Sequence, residues 1–179
     1  GNGGNSGGSN NASASGQTQG EAKTEVDDTV QGVTDTEIKV GNTAAVSGAY
    51  APVGVPFIAG IESYFKMIND QGGIDGRKIT FVHKDDEFDP VKGKAYLQEM
   101  VEDEKVFAIV GHFGTPVVAA TIDDLKSYGI PSVYFATGIG QLYAEHAETN
   151  ADGYNLFPVQ PIYTTEGQIM VARGIVTFN

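Results

Sequence analysis

The chain has 179 residues, 40% of them hydrophobic, which is enough for one domain of ordinary size with a packed core. Its formal net charge is -12, and an acidic surface repels phosphate backbones, so nucleic acid is excluded as an expected partner. The sequence has no run of about 18 apolar residues, so no membrane-spanning helix is predicted, and the absence of cysteine excludes disulfides and thiolate chemistry.

The amino-terminal segment differs in composition from the rest of the chain. Gly1 to Gly20 has no charged or aromatic residue, and Glu21 to Gln31 adds acidic residues but little that can be buried. Residues 1–33 are therefore predicted to be a disordered Gly/Ser/Asn-rich tether, because they cannot offset the entropy lost on ordering. Two interpretations stay open: a solvated terminus or linker, and a tether to a membrane anchor, as in bacterial lipoproteins after their lipidated cysteine.

From Thr34 onward the sequence alternates between strand and helix patterns. Strands are predicted at Ile38–Val40, Ile79–Val82, Val106–Val110, Ser132–Ala136 and Asn155–Val159. Helices are predicted to open at Pro56, at Asp89-Pro90 with Asp89 as N-cap, at Thr115-Pro116 with Thr115 as N-cap, and near Thr164. This order predicts an α/β fold with a doubly wound, mostly parallel sheet.

In such a fold, right-handed crossovers place every loop from strand to helix at one edge of the sheet, where ligands bind. Four loops qualify: Ser47 to Gly54, Lys84 to Asp89, Gly111 to Thr115, and Thr137 to Gln141. Glycines let a ligand approach the backbone, and helix N-termini supply N–H groups that suit a carboxylate. The pattern favours a ligand site at Thr115 and the amides after Pro116, with a plain helix cap as the alternative.

His112 follows the third predicted strand and is interpreted as a structural hydrogen-bond partner. The alternative is an enzyme in which His112 works with Asp85 or Asp86, and this requires His112 to lie within hydrogen-bond reach of one of these acids. His83 and His146 are not spaced with His112 as metal ligands. No nucleophile with a neighbouring base is evident, so no catalytic residue is predicted.

The acidic stretch after the second strand is interpreted as a solvated turn that ends in an N-cap. It lacks the alternating ligands and the glycine of an EF-hand loop, so no metal site is predicted at Asp85, Asp86, Glu87 and Asp89. The sequence also has no dinucleotide-binding, P-loop or G-x-S-x-G motif, and no cofactor is predicted. Three tyrosines are weak candidates for rings that stack on a ligand: Tyr50, Tyr143 and Tyr154.

Several motifs together resemble one known family. They are Ser47-Gly48 followed by Gly54, "NDQGGIDG" from Asn69, "DDEFDP" from Asp85, "GHFGTP" from Gly111 and "GIPSVYFATG" from Gly129. Their order and spacing, over about Ile38 to Gly174, resemble the amino-terminal lobe of the type I periplasmic binding proteins. Within that family the chain looks similar to the Leu/Ile/Val-binding branch that supplies ABC importers.

The resemblance implies two α/β lobes joined by hinge strands, with a small solute trapped between them and no catalysis. Residues 34–160 would form the amino-terminal lobe, and residues 161–179 the hinge crossing, at Gln160 to Ile162, and the start of a largely absent second lobe. The implied function is the extracellular, periplasmic or lipid-anchored, substrate-binding component of an ABC importer, with a membrane permease as partner. A ligand-sensing receptor ectodomain is an alternative that shares the fold.

The resemblance also implies a set of ligand-binding residues. A carboxylate would be held at Thr115, flanked by Gly114 and Pro116, and the first and fourth loops would contribute Ser47, Tyr50, Val53, Ala136, Thr137 and Gly138. Leucine binders tend to carry a threonine where Gly138 stands and an aromatic residue where Val53 stands. The ligand is therefore open between branched-chain amino acids and other small carboxylates.

Overall fold

The structure, a computed structural model, describes residues 30–143 and 155–178. The predictions that concern residues 1–29, His146 and Tyr154 lie outside the described residues. Over the two described ranges, no helix is both long enough and apolar enough to cross a membrane.

Five described strands form one parallel sheet in the order β2-β1-β3-β4-β5. The strands are β1 (Glu37–Ala44), β2 (Lys78–Asp85), β3 (Ala108–Val110), β4 (Ser132–Val133) and β5 (Leu156–Phe157). The predicted α/β fold with a parallel sheet is therefore confirmed. The strand β2 is longer than predicted, so that Lys84 and Asp85 lie in the strand and not in the loop after it.

Four long helices are described: α1 (Ala51–Asp70), α2 (Pro90–Glu102), α3 (Thr115–Tyr128) and α4 (Tyr163–Phe178), with a 3-10 turn at Gly48–Tyr50 before α1. The prediction that α1 opens at Pro56 is wrong, because Pro56 lies inside the helix and Pro52 lies in its first turn. The predicted start of α2 is confirmed, since the Asp89 carboxylate accepts a hydrogen bond from the Val91 amide at 2.8 Å.

The helices cover the two faces of the sheet unequally. Alternate side chains of β2 point to opposite faces, so Phe81 packs against Phe65 of α1 while Val82 packs against the larger core. That larger core lies between the sheet and helices α2 and α3, and its buried residues include Leu97, Met100, Val106, Ile109, Val118, Leu125 and Phe135. The face that carries α1 has a smaller core of Ala44, Ala45, Ile58 and Phe113.

The folded body begins slightly earlier than predicted. The Gln31 side-chain amide donates to the Val106 carbonyl at 2.8 Å, and the Lys39 amide donates to the Gly32 carbonyl at 2.8 Å. Residues 31–33 therefore pack against the sheet, and the boundary predicted at Thr34 is corrected to Gln31.

The strand predicted at Ser132–Ala136 is interrupted. Hydrogen bonding of β4 ends at Val133, and Tyr134 adopts a left-handed backbone with φ of 55°. The chain then returns to the sheet at Ala136, which forms a parallel bridge with Phe113. The interruption turns the Tyr134 ring outward, where it stacks on Phe57 with the ring centroids 6.0 Å apart.

An apolar groove runs along the α1 face of the sheet. Its volume is about 640 Å³, and its walls include Phe57, Ile61 and Tyr64 of α1 and Gly111 and Tyr134 at the ends of β3 and β4. Gly111 has a φ of 73°, and a Cβ there would lie 2.8 Å from the Ile61 Cδ1 atom. A larger residue at Gly111 would therefore be both strained and crowded.

We predict opposite effects for two glycine substitutions in helices. A Cβ on Gly93 of α2 would lie 2.4 Å from Val117 Cγ1 of α3, whereas a Cβ on Gly60 of α1 meets no atom within 4 Å. Gly93→Ala should lower the free energy of unfolding by about 1–3 kcal/mol through overpacking. Gly60→Ala should raise the free energy of unfolding by about 0.5–1 kcal/mol, because alanine is the better helix former. Urea titration of both variants measures the two changes, and equal effects would contradict the packing described for α2 and α3.

Candidate ligand-binding site

The carboxyl ends of the strands place the third and fourth loops side by side. The Phe113 amide donates to the Thr43 carbonyl at 3.1 Å, and the Ala136 amide donates to the His112 carbonyl at 2.8 Å. The Gly114 amide continues the pairing with the Ala136 carbonyl at 3.3 Å. This backbone pairing extends the sheet past β3 and β4 and fixes the residues that follow on each side.

Two threonines meet at the end of this pairing. The Thr115 and Thr137 side-chain oxygens lie 2.8 Å apart, with Thr115 half-buried and Thr137 buried. The helix α3 starts at Thr115, Pro116 has no N–H, and the Val118 amide donates to the Gly114 carbonyl at 2.9 Å, so the first-turn amides without an acceptor within the helix are those of Thr115 and Val117. Hydroxyl groups beside free amides are the donors that an anionic oxygen requires.

The prediction that Thr115 caps α3 is wrong. The N-cap is Gly114, whose φ of 93° is favourable only for glycine, and no side chain caps the helix. A Cβ on Gly114 would also lie 2.7 Å from the Phe88 ring. The Thr115 hydroxyl therefore does not cap the helix and lies instead against Thr137.

The first loop reaches the site through aromatic packing. The Tyr50 ring stacks on Phe88 with centroids 3.6 Å apart and planes inclined by 18°, and Phe88 in turn packs on Gly114. Tyr50 is 46% exposed and is free to contact a ligand on its outer side. Val53 is different: it lies in the first turn of α1, is 58% exposed and belongs to neither core cluster.

Asp85 joins the first and second loops, a role that the sequence did not indicate. Its Oδ1 atom accepts hydrogen bonds from the Val46 amide at 3.1 Å and the Glu87 amide at 3.0 Å. Burial acts to raise the pKa of Asp85, but the Ser47 hydroxyl and these backbone amides hold the pKa below its usual value. The charged carboxylate therefore holds Ser47 in place at the edge of the site.

The other acidic residues of the second loop also serve the backbone. Asp86 is fully buried and accepts from the Phe88 amide at 2.8 Å, and its burial raises the pKa of its carboxyl. Asp89 caps α2, as predicted, and Glu87 pairs with Lys92 at 2.7 Å. Within residues 30–143 and 155–178, no group of three or more acidic or histidine side chains is placed to hold a metal ion.

His112 is buried and bonded to threonines, not to an acid. Its Nε2 atom lies 2.9 Å from the Thr121 hydroxyl, and its Nδ1 atom lies 3.3 Å from the Thr43 hydroxyl. The Thr121 hydroxyl donates its proton to the Val117 carbonyl oxygen at 2.9 Å, so the same hydroxyl accepts the hydrogen bond from His112 Nε2–H. The Nδ1 atom of His112 is then left as an acceptor. The enzyme hypothesis requires His112 to contact Asp85 or Asp86, and neither is its hydrogen-bond partner.

Tyr163, which the sequence did not indicate, also lies at this site. Its amide donates to the Gly138 carbonyl at 2.8 Å, and its ring packs on Gly138, where a Cβ would lie 2.9 Å from Tyr163 Cδ1. Burial acts to raise the pKa of Tyr163, but the hydroxyls of Thr137 and Thr115 and the Gly138 backbone bring the pKa below its usual value. Tyr163 lies 26 residues after Thr137, so no local pattern could have revealed the contact.

Tyr143, another candidate ring, has a different contact. Its hydroxyl donates to the Gln160 carbonyl, so it links the end of the fourth loop to the predicted hinge crossing. The structure thus brings together Gly114, Thr115, Pro116, Ala136, Thr137 and Gly138, with Tyr50 and Ser47 at the border. Their roles in binding stay predictions.

Comparison with known proteins gives consistent matches. A family model described as periplasmic binding protein matches residues 37–174. The Leu/Ile/Val-binding protein homolog 2 of Brucella abortus is 32% identical over 99 residues, which cover 55% of this chain and 26% of that protein. The chain spans about a quarter of the length of this curated relative.

Solved structures share the fold. The substrate-binding periplasmic protein of Ralstonia solanacearum is similar with a TM-score of 0.70 at 26% identity, over 79% of this chain and 38% of that chain. The branched-chain amino acid transporter substrate binding protein of Streptococcus pneumoniae, solved in complex with isoleucine, is similar with a TM-score of 0.61 at 26% identity. That match covers 71% of this chain and 34% of the other.

We predict that His112 makes stability depend on pH. Burial lowers the pKa of His112 to about 4, below its value in the unfolded chain, so the unfolded state binds more protons between those two values. The contribution of neutral His112 to the free energy of unfolding is complete above the pKa that His112 has in the unfolded chain. This contribution is lost as the pH falls toward 4. Between pH 7 and pH 5 this one group should lower the free energy of unfolding by about 2 kcal/mol.

Urea titrations at pH 7 and pH 5 measure this loss in the protein and in His112→Gln, which cannot take up the proton. The variant should show the smaller difference between the two pH values, whatever its absolute stability. The comparison variant is His83→Gln. Burial also lowers the pKa of His83, but His83 is only half-buried, so this variant should have a smaller effect on the difference in the free energy of unfolding between pH 7 and pH 5. An unchanged difference in His112→Gln would contradict the burial of a neutral imidazole.

Proposed function

Because the chain belongs to the periplasmic binding protein family, whose members are substrate-binding proteins and not enzymes, we propose that it forms the amino-terminal lobe of a solute-binding protein. This protein would capture a small carboxylated solute outside the cytoplasm and deliver it to an ABC permease. The solute would be a branched-chain or other amino acid. Residues 31–160 would form the lobe, and the residues before Gln31 would tether it, with or without a lipid anchor, in the periplasm or at the outer face of the membrane.

The observation that carries this proposal is the pair of threonine hydroxyls, 2.8 Å apart, at the carboxyl ends of parallel strands. In open α/β sheets ligands bind at this edge. Thr115 lies at the start of α3, where the free amides and the helix dipole favour a negative charge. A solute carboxylate bound here would accept hydrogen bonds from the Thr115 hydroxyl and from the first-turn amides, with Thr137 holding Thr115 in place.

The class of solute follows from this chemistry and from the names of relatives. The Brucella abortus relative is named a Leu/Ile/Val-binding protein, and the Streptococcus pneumoniae structure contains isoleucine. We infer that the carboxylate at Thr115 belongs to an amino acid or to a similar small acid. The remaining part of the solute would lie toward Tyr50, whose outer side is exposed, and the second lobe would close over it by bending at Gln160 to Ile162.

We predict that Thr115→Ala weakens binding in the full-length protein that contains this chain. A hydrogen bond to a charged group contributes about 1.5–3 kcal/mol, so the Kd of a carboxylate ligand should rise by about tenfold or more. The ligand is first found by thermal shift, because a ligand that binds only the folded state raises the Tm. The screen includes branched-chain amino acids, aromatic amino acids and benzoate, and isothermal titration calorimetry then measures the Kd.

Thr80→Ala is the matched control, since Thr80 is exposed on β2 and lies away from the four loops. It should leave the Kd unchanged. If Thr115→Ala binds the ligand as tightly as the control does, the carboxylate is not held at Thr115. If the screen yields only acids that are not amino acids, the site stands and the proposed class of solute is replaced.

A further inference from the structure

The ring of Phe88 contacts both the first loop and the third loop. Its centroid is 3.6 Å from that of Tyr50, with the ring planes inclined by 18°, so the two rings overlap face to face. Toward the third loop, a Cβ on Gly114 would lie 2.7 Å from Phe88 Cε2 and 3.0 Å from Phe88 Cδ2. A glycine at position 114 therefore leaves room for this ring, and Gly114 directly precedes Thr115. The stack of Tyr50 and Phe88 thus lies beside the threonine to which we assign the carboxylate.

The backbone at Phe88 has a conformation that side chains rarely adopt. Glu87 and Phe88 have φ of 55° and 67°, and this left-handed region is unfavourable for a bulky residue. Two carboxylates hold the turn: Asp85 Oδ1 accepts from the Glu87 amide at 3.0 Å, and Asp86 Oδ1 accepts from the Phe88 amide at 2.8 Å. Backbone strain that the surrounding structure compensates is concentrated at functional sites. Here the strained turn directs an aromatic ring against Gly114.

The two rings differ in how far the protein covers them. Phe88 is half-buried and packs edge to face on Phe113, with the centroids 6.2 Å apart, and both belong to the core on the α1 face or pack against it. Tyr50 is 46% exposed although Phe88 covers one face of its ring. An inner ring anchored to the core therefore holds an outer ring that is open to solvent.

An aromatic surface of this kind favours one class of apolar group. Ring-on-ring contacts are favourable beyond the burial of apolar area, by an amount that corresponds to a Kd about two- to tenfold lower. The nearest residues paired beside Thr115 are Gly114 and Ala136, which carry at most a methyl group. The stacked rings are therefore the large apolar surface next to the carboxylate position.

We propose that the stack of Tyr50 and Phe88 selects the solute, so that the site prefers carboxylates with a planar aromatic ring to carboxylates with an aliphatic group. Tyr50 contacts the ring of the solute, and Phe88 is a positioning residue that holds Tyr50 beside Thr115. This inference rests on the proposed function, because it names the class of solute for the same carboxylate site.

The test compares two pairs of ligands in the full-length protein by isothermal titration calorimetry. Each pair keeps the carboxylate and replaces the aromatic ring by a saturated one: benzoate with cyclohexanecarboxylate, and L-phenylalanine with L-cyclohexylalanine. In the pair that binds, the aromatic ligand should have a Kd about two- to tenfold lower. Burial of apolar area alone predicts the reverse order, because the saturated ring is the more hydrophobic of the two.

Variants of the two rings test where the preference arises. Phe88→Leu keeps an apolar side chain but removes the inner ring, and it should bring the ratio of the two Kd values close to one. Tyr50→Leu should do the same. The control is Phe65→Leu, which removes a ring that packs on Phe81 with centroids 5.5 Å apart, and which lies in α1 away from the four loops. It should keep the ratio whatever its stability.

Urea titration tests the stack without a ligand. The midpoint of the double variant Tyr50→Leu/Phe88→Leu should fall by less than the sum of the two single falls, because either change already removes the stack. Tyr50→Leu combined with Phe65→Leu should be additive, since Phe65 lies about four helical turns after Tyr50. Additive falls in the first combination would overturn the contact on which the inference depends.

The outcomes separate this inference from the proposed function. A saturated ligand that binds at least as tightly as its aromatic partner, with a raised Kd in Thr115→Ala, would overturn the inference and leave the proposed function intact. A preference for the aromatic ligand that persists in both Phe88→Leu and Tyr50→Leu would also overturn it, because other residues would then cause the preference. If neither pair binds while L-leucine does, the inference fails and the proposed function stands. If none of these carboxylates binds, both fail together.

Discussion

The backbone pairing between Phe113 and Ala136 is the constraint on which the site depends. The regular strands β3 and β4 end before these residues, and the bridge carries the parallel register three residues further. Because the register is fixed there, Thr115 and Thr137 leave the sheet side by side and their hydroxyls meet. Loss of this short pairing would leave the two loops free to separate, and neither threonine alone presents the arrangement of donors described here.

Buried polar groups reinforce the same edge of the sheet. The Asn42 side-chain amide donates to the Gly111 carbonyl at 3.0 Å, and His112 joins Thr43 of β1 to Thr121 of α3. Each of these bonds links the end of β3 to a neighbouring element, and burial makes an unpaired partner costly. The chain thus uses hydrogen bonds where the strand ends and apolar packing where α2 and α3 cover the middle of the sheet.

Short sequence motifs predicted the structural features that depend on neighbouring residues in the chain. Asp89-Pro90 marks the start of α2 correctly because the cap and the proline act within one helical turn. Thr115-Pro116 has the same form, yet the N-cap of α3 is Gly114, whose positive φ is favourable for glycine. The Thr115 hydroxyl lies instead within hydrogen-bond distance of Thr137, which belongs to another loop. The parallel sheet, and the single edge at which the loops from strand to helix meet, followed from the alternation of elements. The packing of Tyr163 on Gly138 did not, since it depends on the path of the chain after β5.

The apolar groove beside α1 has a consequence for the behaviour of the chain in solution. The groove has a volume of about 640 Å³ and is lined by side chains such as Phe57, Ile61 and Tyr64. Exposed apolar surfaces of this kind on two molecules attract each other. The net charge of -12 opposes that attraction by mutual repulsion between molecules. Added salt screens the repulsion and strengthens the apolar attraction, so colloidal stability of this chain should fall as ionic strength rises.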